Sequence, residues 1–229
     1  MEKHQLDIIA RIRSDFPEKF GIPRQAGIVE QLRAKIVFEP QYRNPDALRG
    51  IEGFSHLWLI WQFSENLRSD WSPTVRPPRL GGNTRMGVFA TRSPFRPNPL
   101  GLSSVQLVKV EEDDKNGLSL VVAGADLMDG TPIYDIKPYI PYTDSHPEAS
   151  GGFSDDVRAD RLNVTFPEDL LQKVPAEKQD ALRSILRHDP RPHYHSDPDR
   201  QYGFFFAGLE IKFRVEETLL TVTSVEKMA

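Results

Sequence analysis

Cysteine is absent from the 229 residues of this chain. Disulfides, cysteine–zinc sites and thiol catalysis are excluded together. No run of 18 apolar residues occurs, so no membrane-spanning helix is expected. Three common signatures are also missing. There is no G-x-G-x-x-G after a first strand and no phosphate-binding G-x-x-x-x-G-K-[S/T] loop. No G-x-S-x-G elbow presents a catalytic serine. A doubly wound dinucleotide site and a serine triad both lose their usual support. The first residues, MEKHQLDIIARIRSDF, hold no apolar stretch before a small-residue cleavage site, so no secretory signal is expected. Together with the missing cysteine this suits the cytoplasm. Strong positive charge is lacking too. The net charge is −4, so any contact with nucleic acid must come from a local patch.

Such a patch is present. Val75–Gly101, VRPPRLGGNTRMGVFATRSPFRPNPLG, carries Arg76, Arg79, Arg85, Arg92 and Arg96 and no acid. The wider stretch from Asn66 to Leu102 has six arginines against the single acid Asp70, a local +5. Five prolines stiffen the loop, which excludes one long helix or a central strand. Gly81, Gly82 and Gly87 let the backbone turn or approach another group. A stiff loop loses less entropy on binding, and its arginines suit phosphate, carboxylate or nucleic acid. The plain alternative is a surface loop paired with local acids.

Hydrophobic residues at 38% and charged residues at 27% fit a globular chain. The length allows one large domain, or one domain with a small appendage. The first part reads as β structure: Leu6–Arg13, Lys35–Glu39, Phe54–Phe63, Gly87–Thr91, Ser103–Val110, Leu118–Ala123 and Ile133–Pro138. DDKNG at 113–117 is a hairpin turn. Many short strands without alternating helices predict a mainly β fold, an antiparallel barrel or sandwich. Tyr142–Asp156 is polar and rich in Gly and Ser, as a linker is. Beyond it come a strand at Arg161–Phe166 and helices opening at Pro167 and Pro175. Strands follow at Gln201–Ala207, Leu209–Val215 and Leu219–Val225. The expected division is a β domain over residues 1–142, a linker over 143–160 and a small α+β domain over 161–229.

Several clusters are candidates for chemistry. IPRQAG at 22–27 is a turn carrying an arginine and an amide. GADLMDGTPIYDIKP at 124–138 brings Asp126, Asp129 and Asp135 close in sequence, with Asp129 read as an ordinary turn residue. His56 sits within an aromatic strand and reads as core. His193 and His195 are two residues apart but lack a clear third ligand, so no metal site is expected.

These residues resemble those of the TsaA/TrmO family of S-adenosylmethionine-dependent tRNA methyltransferases. The matching motifs are PRQ at 23–25, RGIEGFSHLW at 49–58, the run at 75–103, DLMDGTPIYDIKPYIPY at 126–142 and HDPRPHY at 188–194. The resemblance runs nearly end to end. It implies a single-sheet antiparallel β-barrel with a small C-terminal α+β domain, a homodimer, and S-adenosylmethionine as cofactor. It also implies methylation of the exocyclic nitrogen of threonylcarbamoyladenosine, 3′ of the anticodon in threonine tRNA. The cofactor-binding positions it implies are Gln25, Ala26, Gly27, Phe63, Ser64, Arg92, Leu102, Ala123, Gly124, Ala125 and Asp126. Ala26 and Ser64 depart from the Pro and His that the resemblance leads one to expect at these positions. Arg92 suits the cofactor carboxylate, Phe63 and Leu102 the adenine, and Asp126 the ribose or the adenine amine.

The acceptor nitrogen belongs to a urea and must lose a proton. Asp135, beside Lys137, is a candidate base if burial in apolar surroundings raises its pKa. The substrate's own threonine carboxylate is another. Arg76, Arg79, Arg85 and Arg96 are candidate RNA contacts, and Tyr139 and Tyr142 candidate stacking partners for an unstacked base. Two other readings stand beside this one: a non-catalytic RNA- or nucleotide-binding module, and a methyltransferase of a small anionic metabolite.

Overall fold

The computed structural model describes residues 4–66, 70–77, 80, 83–113, 117–155, 161–191, 197 and 199–228. Six strands carry the first part: β1 Ala10–Arg13, β2 Arg33–Phe38, β3 His56–Gln62, β6 Leu100–Asp113, β7 Gly117–Ala123 and β8 Pro132–Pro138. Their antiparallel pairings run β1–β2–β7–β6–β3–β8, and β8 pairs back to β1. A short hairpin, β4 Thr74–Val75 with β5 Met86–Gly87, stands apart from this ring.

Strand alternation fills the ring, because successive side chains point to opposite faces. Ala10 and Ile12 of β1 face in, with Ala34, Ile36 and Phe38 of β2 and Leu57, Leu59 and Trp61 of β3. One break in this rhythm matters. Leu59 pairs with Ile136 and Ile60 with Asp135, but Trp61 pairs with Ile133. The register shift inserts Tyr134. Ile133 is fully buried and Ile136 packs on the same core three residues later, so β8 changes phase between them.

The second part is a four-stranded sheet in the order β10–β11–β12–β9. It comprises β9 Asn163–Thr165, β10 Tyr202–Phe206, β11 Leu209–Glu216 and β12 Leu219–Lys227. Helices α2 (Glu168–Leu171) and α3 (Ala176–Arg187) cover it. Ala181, Leu182, Ile185 and Leu186 form the buried stripe of α3, at helical spacing. The same core takes in three residues from far upstream: Phe16, Val29 and Leu32. Phe16 packs on Phe206 with ring centroids 5.4 Å apart. Gly21 admits the Phe204 ring, since a Cβ there would lie 2.3 Å from it, and its φ of +91° favours glycine anyway.

Three expectations are corrected. Gly87–Thr91 is not a strand: β5 ends at Gly87 and a 3-10 turn follows over Val88–Ala90, with Val88 buried. The stretch expected to be a linker begins with a short helix, α1, at Pro141–Asp144. His56 is exposed at the start of β3, on the outward phase of the strand, and its ring meets Ser55 Oγ at 3.0 Å. The tip of the β6–β7 hairpin, residues 114–116, lies outside the described residues. Among the described residues no helix is long and apolar enough to cross a membrane.

Candidate active-site cleft

A cleft of about 910 Å³ opens where β3 and β6 meet the Ile22–Ala26 turn, the Arg92–Asn98 loop and the segment from Asp126 to Thr131. That volume suits a small-molecule site, typically about 300–1,000 Å³. Its bed is aromatic. Trp61 and Phe63 meet edge to face with centroids 4.4 Å apart. Gly101, opposite Trp61 in the ladder, leaves room for the indole; a Cβ there would lie 2.2 Å from Trp61 Cε2. Trp61 Nε1 donates to Ser103 Oγ at 3.0 Å, and Ser103 Oγ donates to Asp126 Oδ1 at 2.6 Å. Burial raises the Asp126 pKa. The Ser103 hydroxyl, the backbone N–H groups of Asp126 and Ala26, and the Arg92 charge oppose that rise without cancelling it.

The turn bearing Gln25 is held from both sides. Gly27 N donates to Gly124 O at 2.8 Å. A Cβ on Gly124 would sit 3.2 Å from Gly27 Cα, and Gly124 has φ +73°. Only glycine meets both demands at position 124. On the other side a relay crosses from the C-terminal part. Asp189 accepts from Arg191 Nε and Nη2 at 2.8 and 2.9 Å. Arg191 O accepts from Arg24 Nη2 at 2.7 Å, and Arg24 O from Gln25 Nε2 at 2.6 Å. Gln25 Oε1 accepts from Arg92 Nη1. The motifs PRQ and HDPR, far apart in sequence, thus become one structure.

Of the residues expected at the cofactor, Gln25, Ala26, Phe63, Ser64, Arg92, Leu102 and Asp126 line the cleft. Gly27, Ala123, Gly124 and Ala125 do not line it: Gly27 and Gly124 join through their backbones, and Ala123 and Ala125 are buried. Arg96 also lines the cleft, with Nη1 on Thr91 O at 3.2 Å. Arg76 and Arg85 are exposed beside the β4–β5 hairpin. Arg79, His193 and His195 lie outside the described residues.

Asp135 and Lys137 are not among the lining residues. They form an ion pair at 3.0 Å with side chains 45% and 62% exposed. The apolar enclosure expected around Asp135 is absent, because the phase change in β8 turns Ile133 and Ile136 inward and Asp135 outward. Tyr139 packs on Trp58 at 5.5 Å, and Tyr142 is 88% exposed; neither lines the cleft. Sequence reasoning missed Trp61, Ser103, Phe89 and Thr131 as wall residues. For Ser103 the signal was strand alternation, which puts it in phase with Val105; Trp61 ends an unbroken apolar run, so no alternation marks its side, and the register of the two was not readable.

Residues 11–145 match the description tRNA-methyltransferase O N-terminal domain, and residues 159–228 match TrmO C-terminal domain. The chain is 39% identical over 234 residues to the tRNA (adenine(37)-N6)-methyltransferase of Escherichia coli (strain K12), covering 99% of both. It is 42% identical over 173 residues to the protein of that name from Eikenella corrodens, covering 75% of this chain and 97% of that one. A crystal structure of TrmO from Pseudomonas aeruginosa superposes with a TM-score of 0.81 at 32% identity, covering 100% of this chain and 99% of the other. With both domain descriptions matched in order and a relative aligned along nearly its whole length, the chain belongs to the tRNA-methyltransferase O family.

Proposed function

We propose that this chain is an S-adenosylmethionine-dependent methyltransferase acting on the exocyclic nitrogen of threonylcarbamoyladenosine, 3′ of the anticodon in threonine tRNA. On this reading the six-strand ring is the single-sheet barrel that carries the cofactor, and a tRNA substrate suits a cytoplasmic protein. One observation supports the reading above the others: a single cleft unites Arg92, an aromatic bed and a half-buried carboxylate. These groups match a molecule with a carboxylate, an adenine, a ribose and a sulfonium. Arg92 has five donors, so its bond to Gln25 leaves a fork for the carboxylate. The Trp61–Phe63 bed and Leu102 receive the adenine, and Asp126 accepts from a ribose hydroxyl or the adenine amine. The bound cofactor supplies a methyl group on a sulfonium.

Calorimetry with S-adenosylmethionine and no RNA should show binding, and saturating ligand should raise the melting temperature by mass action. A flat titration with an unchanged melting temperature would remove the methyltransferase reading and leave the RNA-binding module. Mass spectrometry of tRNA nucleosides from a deletion strain, with and without the gene restored, identifies the modified base. Activity on a free metabolite without tRNA would favour the small-anion alternative. A second copy as partner rests on the family resemblance, and light scattering tests it.

The exposure of Asp135 and its bond to Lys137 favour the substrate carboxylate as the proton acceptor, with rate coming from alignment of donor and acceptor. Asp135→Asn is therefore expected to keep single-turnover rates within about threefold of wild type, well short of the roughly 10²–10⁴-fold typical of general-base loss. A collapse of that size would restore Asp135 as the base. Arg85→Ala should lower the slope of log affinity for tRNA against log salt by roughly one, the signature of one lost phosphate contact. An unchanged slope would assign Arg85 to another role.

A further inference from the structure

Trp71 precedes β4 and Phe89 follows β5. The pairs Thr74–Gly87 and Val75–Met86, with Val88 N on Pro73 O at 3.0 Å, bring their rings together. The two are stacked, with centroids 6.1 Å apart and planes 26° from parallel. Yet they are 50% and 72% exposed. Core packing does not explain a pair of large rings left so open to water. Phe89 also lies on the wall of the cleft, together with Arg92 and Arg96.

Charge narrows the choice of occupant. From Trp71 to Val110 the sequence contains no Asp or Glu, while it carries five arginines and Lys109. A protein surface with acids of its own, such as a second copy of this chain at −4, is less well matched than a uniform polyanion. Aromatic rings set among arginines are how proteins hold unpaired bases: the ring stacks on any base face and the cations follow the backbone.

We propose that Trp71 and Phe89 form a stacking platform for an unpaired RNA base at the mouth of the cleft. The base is the immediate neighbour of the one whose exocyclic nitrogen enters the cleft, so this inference rests on the tRNA reading. It also moves the stacking role from Tyr139 and Tyr142, which lie off the cleft, to the hairpin that carries the basic loop.

The probe is an anticodon stem-loop RNA with 2-aminopurine beside the target adenosine, titrated into the full chain. Its fluorescence should fall on binding wild type, as stacking quenches it. Phe89→Leu and Trp71→Leu keep apolar bulk and should keep the wild-type melting temperature. Each should weaken RNA binding by about 5–100-fold and abolish the quench. Phe89→Tyr should restore both, and S-adenosylmethionine affinity should stay unchanged in Trp71→Leu, whose ring lies off the cleft wall. Unaltered RNA affinity and quenching in the two Leu variants, with cofactor still bound, would overturn the platform and leave the methyltransferase reading intact. Failure of wild type to bind the RNA at all would sink both. A change of solution mass in the Leu variants, without loss of RNA affinity, would make the patch an interface between copies and overturn the platform.

Discussion

Asp126→Asn is expected to bind S-adenosylmethionine about 10–100-fold more weakly than wild type, the worth of one hydrogen bond to a charged group. The same change should flatten two pH profiles. Burial raises the Asp126 pKa in the folded protein above its unfolded value, near 3.9 for an ordinary aspartate. Between those two values the folded chain holds a proton that the unfolded chain has lost. Stability contributed through this group therefore falls as pH rises through the window, and is level below and above it. Asparagine does not titrate. The stability of the variant relative to wild type should improve as pH rises from about 4, whatever the fixed cost of putting an amide beside the N–H groups of Ala26 and Asp126. Ligand affinity in wild type should weaken as pH falls and Asp126 takes up its proton, and the variant should lack that slope. Denaturant melts and calorimetric titrations across pH measure both. Parallel profiles in the two proteins would mean that Asp126 is neither the titrating group nor the acceptor.

Gly101→Ala is expected to damage fold and cleft together. The added Cβ would fall 2.2 Å from Trp61 Cε2 and 2.4 Å from Cζ2, both atoms of a rigid ring. That ring is nearly buried and is tethered through Nε1 to Ser103. It has no flexible end to swing aside. Overpacking of this kind costs about 1–3 kcal/mol, occasionally more. In a chain of this size that lowers the melting temperature by roughly 2–12 °C. Displacing Trp61 tilts the bed and disturbs the Ser103–Asp126 bond, so cofactor binding should weaken by at least about tenfold. Alanine at a surface glycine with open space, such as Gly53, is the control and should behave as wild type. Normal melting and normal binding in Gly101→Ala would show that the indole has room the structure does not.

The two predictions draw on what could and could not be read from the sequence. FSHLWLIWQF announces a strand by its dense aromatic and branched residues and SSVQLVKV by its alternation; β3 lies within the first, and β6 runs three residues beyond the second at each end. Asp126 was legible as a site through its motif. Its partnership with Ser103 was not, since that depends on the register of β6 against β3 and on the path of the chain after β7. Asp135 shows the reverse failure. Ile133, Ile136 and Pro138 suggest an apolar pocket only if the strand keeps its phase, and the inserted Tyr134 breaks it. Gly87–Thr91 carries strand-like residues, but only Val88 has a core to enter, so the chain coils into a turn instead. The relay from Asp189 to Arg92 was invisible, because nothing local in HDPR says that its carbonyl meets Arg24.

The placement of Phe16, Val29 and Leu32 has a consequence for how the protein is made. Synthesis delivers the chain from its first residue onward, and folding follows as segments emerge. The six-strand ring can close once β8 has left the ribosome. The turn from Pro23 to Gly27 then has its bond to Gly124 but not its second support, for the partners of its flanking apolar anchors, from Leu162 to Val225, are still to come. At that stage the ring stands beside a cleft wall held from one side. The wall bearing Gln25 gains its full support only as the second sheet forms.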